Sequence, residues 1–142
     1  MGDAMSGKQS GFLELVWRKE YECGHPTVDV QHRHLFKLGN SLLDAVLTHQ
    51  PKPDIERALD AFIDDVANHF MSEEQALEEE HIGVAESHRE KHRQLLEKAE
   101  ILRANFGEGA AGASEVLSFV VYDIIDGHIS NEDGSWFALL KN

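Results

Sequence analysis

The sequence contains few of the residues that cross-link small proteins or interrupt helices. Cys23 is the single cysteine among 142 residues, so the chain cannot form an internal disulfide, and a lone cysteine favours a reducing compartment. The three prolines all lie within the first 53 residues, which leaves long stretches without a helix-breaking residue. A chain of this length suits one domain. The sequence therefore predicts a helical, cytoplasmic, single-domain protein.

Basic residues are also scarce, since 13 Lys and Arg stand against 26 Asp and Glu and the formal net charge is -13. Nucleic acids and anionic membrane surfaces bind a basic face, so the charge argues against both as partners. No apolar run is long enough to span a bilayer, and we expect no membrane insertion. We expect residues 1–10, which are small and polar, to be a disordered tail or a cloning remnant that precedes a domain at residues 11–142.

Apolar residues recur every three or four positions in four segments, which is typical of amphipathic helices. We predict helices at about 27–48, 53–82, 84–106 and 113–128. Short connections between long helices favour antiparallel neighbours, so the expected fold is an all-α, antiparallel up-down-up-down four-helix bundle. The stretch before the first helix carries Trp17 and Tyr21, and we expect it to lie across the bundle as an N-terminal arm.

Polar residues interrupt the predicted inward face of every helix. The predicted face is Val28, His32, Leu35, Gly39, Leu42 and Val46 on the first helix, Ile55, Leu59, Phe62, Val66, His69, Glu73 and Leu77 on the second, Val84, His88, His92, Leu95, Ala99, Leu102 and Phe106 on the third, and Leu117, Val121, Ile124 and His128 on the fourth. Five histidines and one glutamate thus occupy core positions. Burying such groups without a partner costs about 1 to 3 kcal/mol each.

These six polar residues are predicted to meet at one end of the bundle. In an antiparallel arrangement the starts of the first and third helices meet the ends of the second and fourth, and the six residues lie at those places. A shared metal ion would remove the cost of burying them. Glu74 is one residue off the inward face, so Glu73 is the preferred ligand. The other histidines, at 25, 34, 49 and 81, are expected to have surface or structural roles.

Asp133 is a further candidate ligand, five residues after His128. At about 100° per residue, a straight α-helix would turn it about 140° away from His128. It can join the site only if the helix widens to a π-like turn or ends near Ser130 and Asn131.

The pattern resembles the hemerythrin family, and its bacterial branch in particular, over about residues 13–140. Asp29 to His32 read Asp-x-Gln-His, and His69 to Glu74 read His-Phe-x-x-Glu-Glu. His88 and His92 form His-x-x-x-His, and His128 to Asp133 read His-Ile-x-x-x-Asp. Each motif alone is weak, whereas the four in this order are a specific match.

The resemblance implies a non-haem centre of two iron ions with an oxo or hydroxo bridge. In such a centre His88, His92 and His128 hold one iron, His32 and His69 hold the other, and Glu73 and Asp133 bridge the two. It also implies reversible dioxygen binding at the iron held by two histidines, rather than enzymatic catalysis.

The expected dioxygen pocket is apolar, with Ile124, Ile125 and Ile129 as its lining. The family often has tryptophan four residues before its last histidine, where this chain has Ile124. A smaller side chain there opens the site, which puts slow autoxidation in doubt.

The sequence leaves more than one function open. The domain could carry or store dioxygen, or it could be the sensory part of a protein with a fused or partner signalling domain, such as a diguanylate cyclase, that responds to iron oxidation. An iron-storage protein and a ferritin-like carboxylate enzyme are weaker alternatives. A fixed pair of metals stores little iron, and the ferritin-like class uses mainly glutamate ligands.

Overall fold

Four helical segments follow one another in the computed structural model, which describes residues 15–22, 26–79 and 86–132, without the side chains of residues 20 and 126–132. They are α1 (Pro26–Leu47), α2 (Lys52–Glu79), α3 (Glu86–Gly107) and α4 (Ala113–Ser118), and α4 continues directly into a π-helix (Phe119–Glu132). These ranges contain no strand. The predicted all-α four-helix bundle is confirmed.

Contacts between helix ends show that neighbouring helices are antiparallel. His32 near the start of α1 lies 3.0 Å from His69 in the second half of α2, measured between the Nε2 atoms. At the other end, Lys52 at the start of α2 donates a hydrogen bond of 2.8 Å to the carbonyl of Gly107, where α3 ends. One end of the bundle therefore collects the starts of α1 and α3 and the end of α2.

The bundle core is formed by the faces that the apolar period predicted. All the residues named for α1 are buried, and on α2 those from Leu59 to Leu77 are buried while Ile55 is half-buried. Phe62 and Phe119 meet edge to face at the centre, with ring centroids 6.3 Å apart. Among the described helices, none has both the length and the apolar character needed to cross a membrane.

The π-helix changes which residues face the core at the end of the chain. Phe119 and Ile124 are buried, as are Val120 and Ile125, and each pair is five residues apart, which is the hydrogen-bond spacing of a π-helix. Leu117 and Val121, which were predicted to face inward, are partly buried against the core. Val116 and Val120, one residue earlier in each case, are fully buried.

The N-terminal arm lies against the middle of α1, as predicted. The side-chain amide of Asn40 binds the backbone of Leu15 twice, accepting from its N–H at 2.6 Å and donating to its carbonyl at 2.9 Å. The rings of Trp17 and Tyr21 both contact Phe36, with centroids 5.2 and 5.3 Å away. Leu15, Trp17 and Tyr21 are thereby partly buried against the core.

α1 and α3 end in the same hydrogen-bonded turn at the far end of the bundle. After α1, His49 has a φ of 56° and Gln50 donates to the carbonyl of Ala45 at 3.0 Å. After α3, Gly109 has a φ of 83° and Ala110 donates to the carbonyl of Asn105 at 2.7 Å. Both are Schellman motifs, in which a left-handed residue lets the chain satisfy the last carbonyls of the helix.

Candidate metal centre

Four polar side chains are buried in the core at one end of the bundle. His32, His69, Glu73 and His92 are at most 3% exposed, and His88 beside them is half-buried. Positions four residues apart place His69 above Glu73 on α2 and His88 above His92 on α3. Five of the seven predicted ligands are therefore brought together.

Glu73 lies at the centre of this cluster, and its two oxygens face different pairs of imidazoles. Oε1 lies 3.0 Å from Nε2 of His88 and 3.0 Å from Nε2 of His92. Oε2 lies 3.1 Å from Nε2 of His69 and 3.9 Å from Nε2 of His32. The cluster thus consists of two potential metal-binding groups that share one carboxylate.

The distances between these atoms suit metal ligands. Two ligand atoms at right angles around a metal, each about 2.1 Å from it, lie about 3.0 Å apart. Most separations in the cluster are 3.0 or 3.1 Å. Imidazole and carboxylate groups together suit first-row divalent metals, iron among them.

The outer nitrogens of two imidazoles lie beside oxygen atoms that accept hydrogen bonds. Nδ1 of His92 lies 2.7 Å from the Glu74 carboxylate, and Nδ1 of His69 lies 3.2 Å from the amide oxygen of Gln31. With the proton on Nδ1, each ring presents the lone pair of Nε2 to Glu73 and can bind a metal there. A cation between the lone pairs removes the repulsion between them. A metal ion serves several lone pairs at once, whereas a proton serves one.

Glu74 and Gln31 are functional candidates that the inward-face argument missed. Gln31 precedes the core residue His32, and Glu74 follows the core residue Glu73. Each contacts the Nδ1 atom of an imidazole, on the side away from Glu73, and a hydrogen bond at that position fixes the ring of a metal ligand. Arg89 holds Glu74 in turn, with 2.8 Å contacts to Glu74 and to Glu78. The sequence signal was adjacency to His32 and Glu73.

His92 is fixed by packing as well as by hydrogen bonds. The ring of Phe70 stacks on it with centroids 4.0 Å apart and an interplanar angle of 2°. Phe70 is 2% exposed, so it separates the imidazole from solvent on that face. An open groove of about 710 Å³ between α2 and α3 begins beyond Phe70, and His92 forms part of its wall.

The other predicted site residues lie partly outside the described structure. Ile124 and Ile125 are buried in the core, at 0% and 6% exposure. The backbone of His128 belongs to the π-helix, while its side chain and that of Ile129 fall outside the description, as does Asp133. The widened helix is one of the two conditions under which Asp133 was expected to approach the site.

The histidines predicted to have other roles lie away from the cluster wherever they are described. His34 is exposed on the opposite face of α1 and lies 3.1 Å from Asp65. His49 ends α1 at the far end of the bundle. The predictions on residues 1–10, Cys23, His25, His81 and Val84 concern residues outside the described ranges.

Comparison with known proteins points to one family. The family model of the hemerythrin HHE cation binding domain matches residues 23–140. The bacteriohemerythrin of Methylococcus capsulatus is 30% identical over 105 residues, which cover 74% of this chain and 79% of that protein. The bacteriohemerythrin of Stenotrophomonas maltophilia is 24% identical over 127 residues, which cover 89% and 82%. A crystal structure of wild-type hemerythrin matches with a TM-score of 0.77 and 27% identity, over 90% of this chain and 98% of that one.

Proposed function

Because this chain belongs to the hemerythrin family, we propose that it holds two iron ions at the cluster around Glu73 and binds dioxygen there reversibly. The observation that carries the proposal is the position of Glu73, with one oxygen toward His88 and His92 and the other toward His32 and His69. A carboxylate placed in this way can bridge two metal ions.

The proposed ligand set divides between the two ions as the family resemblance implies. His32 and His69 hold one iron, and His88, His92 and His128 hold the other. Glu73 and Asp133 would contribute carboxylate ligands to both ions. When bound, the iron pair would supply the electrons that hold dioxygen.

The chain's own contribution beyond the ligands is a dry, apolar surrounding. Ile124 and Ile125 are buried in the core, and Ile129 follows on the same helix. Apolar walls give water and small anions no hydrogen-bond partner, so they disfavour the entry of groups that promote irreversible oxidation. We propose binding rather than catalysis as the activity, in the cytoplasm.

Metal content tests the proposed centre. We expect two irons per chain in the parent and in His34→Ala, whose imidazole lies on the opposite face, and loss of both irons in Glu73→Ala. His92→Ala should lose at least one. A parent protein that retains no iron after reconstitution, or a Glu73→Ala variant that retains two, contradicts the proposal.

Anaerobic reduction followed by exposure to dioxygen tests the activity. We expect a visible charge-transfer band that appears with dioxygen and disappears when the gas is removed. The second candidate function, a sensor that responds through iron oxidation, predicts oxidation that is not reversed by removing the gas. Ile124→Trp restores the large side chain usual in the family, and it should slow autoxidation if this position controls access.

A further inference from the structure

The hydrogen bonds behind the two imidazole pairs differ in charge. On the side of α3, Nδ1 of His92 donates to the carboxylate of Glu74 at 2.7 Å. On the side of α1, Nδ1 of His69 donates to the neutral amide oxygen of Gln31 at 3.2 Å. The first bond is shorter as well as charge-assisted, so it is the stronger of the two.

The strength of this outer hydrogen bond determines how well an imidazole donates electrons. An acceptor that pulls on the Nδ1 proton raises the electron density of the ring and makes Nε2 a stronger ligand. A stronger ligand and a nearby negative charge both favour the more highly charged ion. The side chains of Glu74 and Gln31 therefore give the two halves of the centre different preferences for ferric over ferrous iron.

We propose that Glu74 is a positioning residue that makes the half of the centre at His88 and His92 the preferred place of the ferric ion. When an external one-electron acceptor, such as a dye mediator, removes one electron from the reduced pair, that electron leaves from this half and the other ion stays ferrous. The inference rests on the proposed iron centre.

Arg89 keeps Glu74 in the position that this role requires. Its guanidinium binds Glu74 through one nitrogen and Glu78 through the other, both at 2.8 Å. Glu74 thereby has one oxygen on Arg89 and the other on His92. A carboxylate held at both oxygens cannot rotate away from the imidazole without losing a contact.

The alternative is that Glu74 is only part of an ion pair between α2 and α3. Glu74→Gln separates the two roles, because glutamine has nearly the same shape and its single amide oxygen can accept from Nδ1 of His92 while its NH2 group faces Arg89. The variant removes the charge and weakens the ion pair with Arg89, whereas the hydrogen bond to His92 can remain. Gln31→Glu is the reciprocal change, since it adds a carboxylate behind His69.

Stepwise redox titration of the iron-loaded protein tests the inference. In Glu74→Gln we expect the ferric-over-ferrous preference of the first oxidation step to fall about tenfold, which raises its midpoint by about 59 mV for a one-electron couple. The second step should stay nearly unchanged. Gln31→Glu should instead lower mainly the second midpoint. A shift confined to the second step in Glu74→Gln, or no shift in either step, overturns the inference.

A redox-inert form provides the second readout. In the zinc-loaded protein, the Nδ1 proton of His92 should resonate further downfield in the parent than in Glu74→Gln, because a carboxylate pulls on it more strongly. Identical resonances overturn the inference. Iron content is measured before either experiment, so a chain that holds no iron contradicts the proposed function, whereas a loaded chain without these shifts contradicts only the role of Glu74.

Discussion

The two ends of the bundle are stabilised in different ways. At the end with the starts of α1 and α3, the core positions are occupied by His32, His69, Glu73 and His92, all buried. At the far end, apolar residues such as Leu59 fill the core, and hydrogen-bonded turns satisfy the helix termini. A core can therefore contain polar groups where these groups bind a shared partner. The stability of that end of the bundle should then depend on whether the partner is bound.

Removing the metal should produce the largest difference between the two ends. A ligand present at about 1,000 times its Kd adds about 4.1 kcal/mol to the free energy of unfolding, so the iron-loaded protein should be more stable than the chelated one by about that amount. Hydrogen exchange measures where the loss occurs. We expect faster exchange in residues 28–36 and 66–77, and little change in residues 42–47 and 55–63.

The control for this experiment is Glu73→Ala, whose exchange pattern should not respond to chelation. Uniform loss of protection along the whole bundle would contradict the separation of the two ends. It would show instead that the metal stabilises the fold as one cooperative unit.

Leu59→Ala is the matched change in the apolar end. Leu59 is 1% exposed, and truncating a buried leucine costs about 3 kcal/mol through lost burial and the cavity that remains. Chemical denaturation should show this loss equally with and without metal, and iron content should stay at two per chain. A loss of iron in this variant would show that the far end controls the geometry of the site.

Gly39 lies between the two ends, where the arm crosses α1. A Cβ placed there would approach Cδ1 of Leu15 to 2.8 Å, so Gly39→Ala should gain helix propensity but lose packing of the arm. Replacing a glycine inside a helix by alanine raises the free energy of unfolding by about 1 kcal/mol through helix propensity. We expect that gain in the Leu15→Ala background and little or no gain in the parent, as measured by a double-mutant cycle. Equal effects in both backgrounds would mean that Leu15 moves aside at no cost.

The turns after α1 and α3 allow two matched substitutions that should change the free energy of unfolding by a smaller amount. His49 has the left-handed conformation that glycine adopts at Gly109, and this conformation strains a residue with a Cβ. His49→Gly should raise the free energy of unfolding by about 0.5 to 1 kcal/mol, while Gly109→Ala should lower it by about 1 kcal/mol. Thermal unfolding measures both. A destabilised His49→Gly variant would show that the imidazole makes a contact worth more than the strain.

The smallest expected effect is at the start of α4. The backbone N–H of Gly112 donates to Glu115 at 2.9 Å, and this bond lowers the pKa of the Glu115 carboxyl below 4.5. A lowered folded-state pKa stabilises the protein above pH 4.5, and the contribution is lost as the pH falls through the folded value. Glu115→Gln should therefore be slightly less stable than the parent at pH 6, and the difference should diminish below pH 4.5. A difference that persists unchanged at low pH would exclude the carboxylate as its cause.

The apolar period predicted the fold and the meeting of the polar residues because both depend on which face a residue occupies. His32 and His69 lie on the inward faces of helices whose spacing is regular, so their convergence followed from the antiparallel arrangement. The same reasoning placed Glu73 in the core and Glu74 at its edge, as the structure has them. That these side chains bind iron stays a prediction.

The contacts of Glu74 and Gln31 could not be predicted in this way. A residue beside the inward face can contact the neighbouring helix only if the axes of the two helices are close enough for its side chain to span the gap. The spacing of residues in the sequence does not determine the distance between the axes. The deeper burial of Val116 and Val120, next to Leu117 and Val121, was missed for a related reason. Apolar residues are dense in this segment, so the sequence fits both an α-helical and a π-helical period, and backbone hydrogen bonds decide between them.

The π-helix makes the last part of the bundle sensitive to insertions and deletions. Deleting one residue within Phe119–Glu132 would change the direction in which every later side chain of the helix faces, because each residue occupies a fixed angle around the helix axis. The turn between α3 and α4, exposed at Gly109 and Ala110, can absorb extra residues at little cost. We therefore expect the fold to tolerate added residues between 108 and 112. Insertions or deletions between 119 and 132 should disrupt the packing of the last helix.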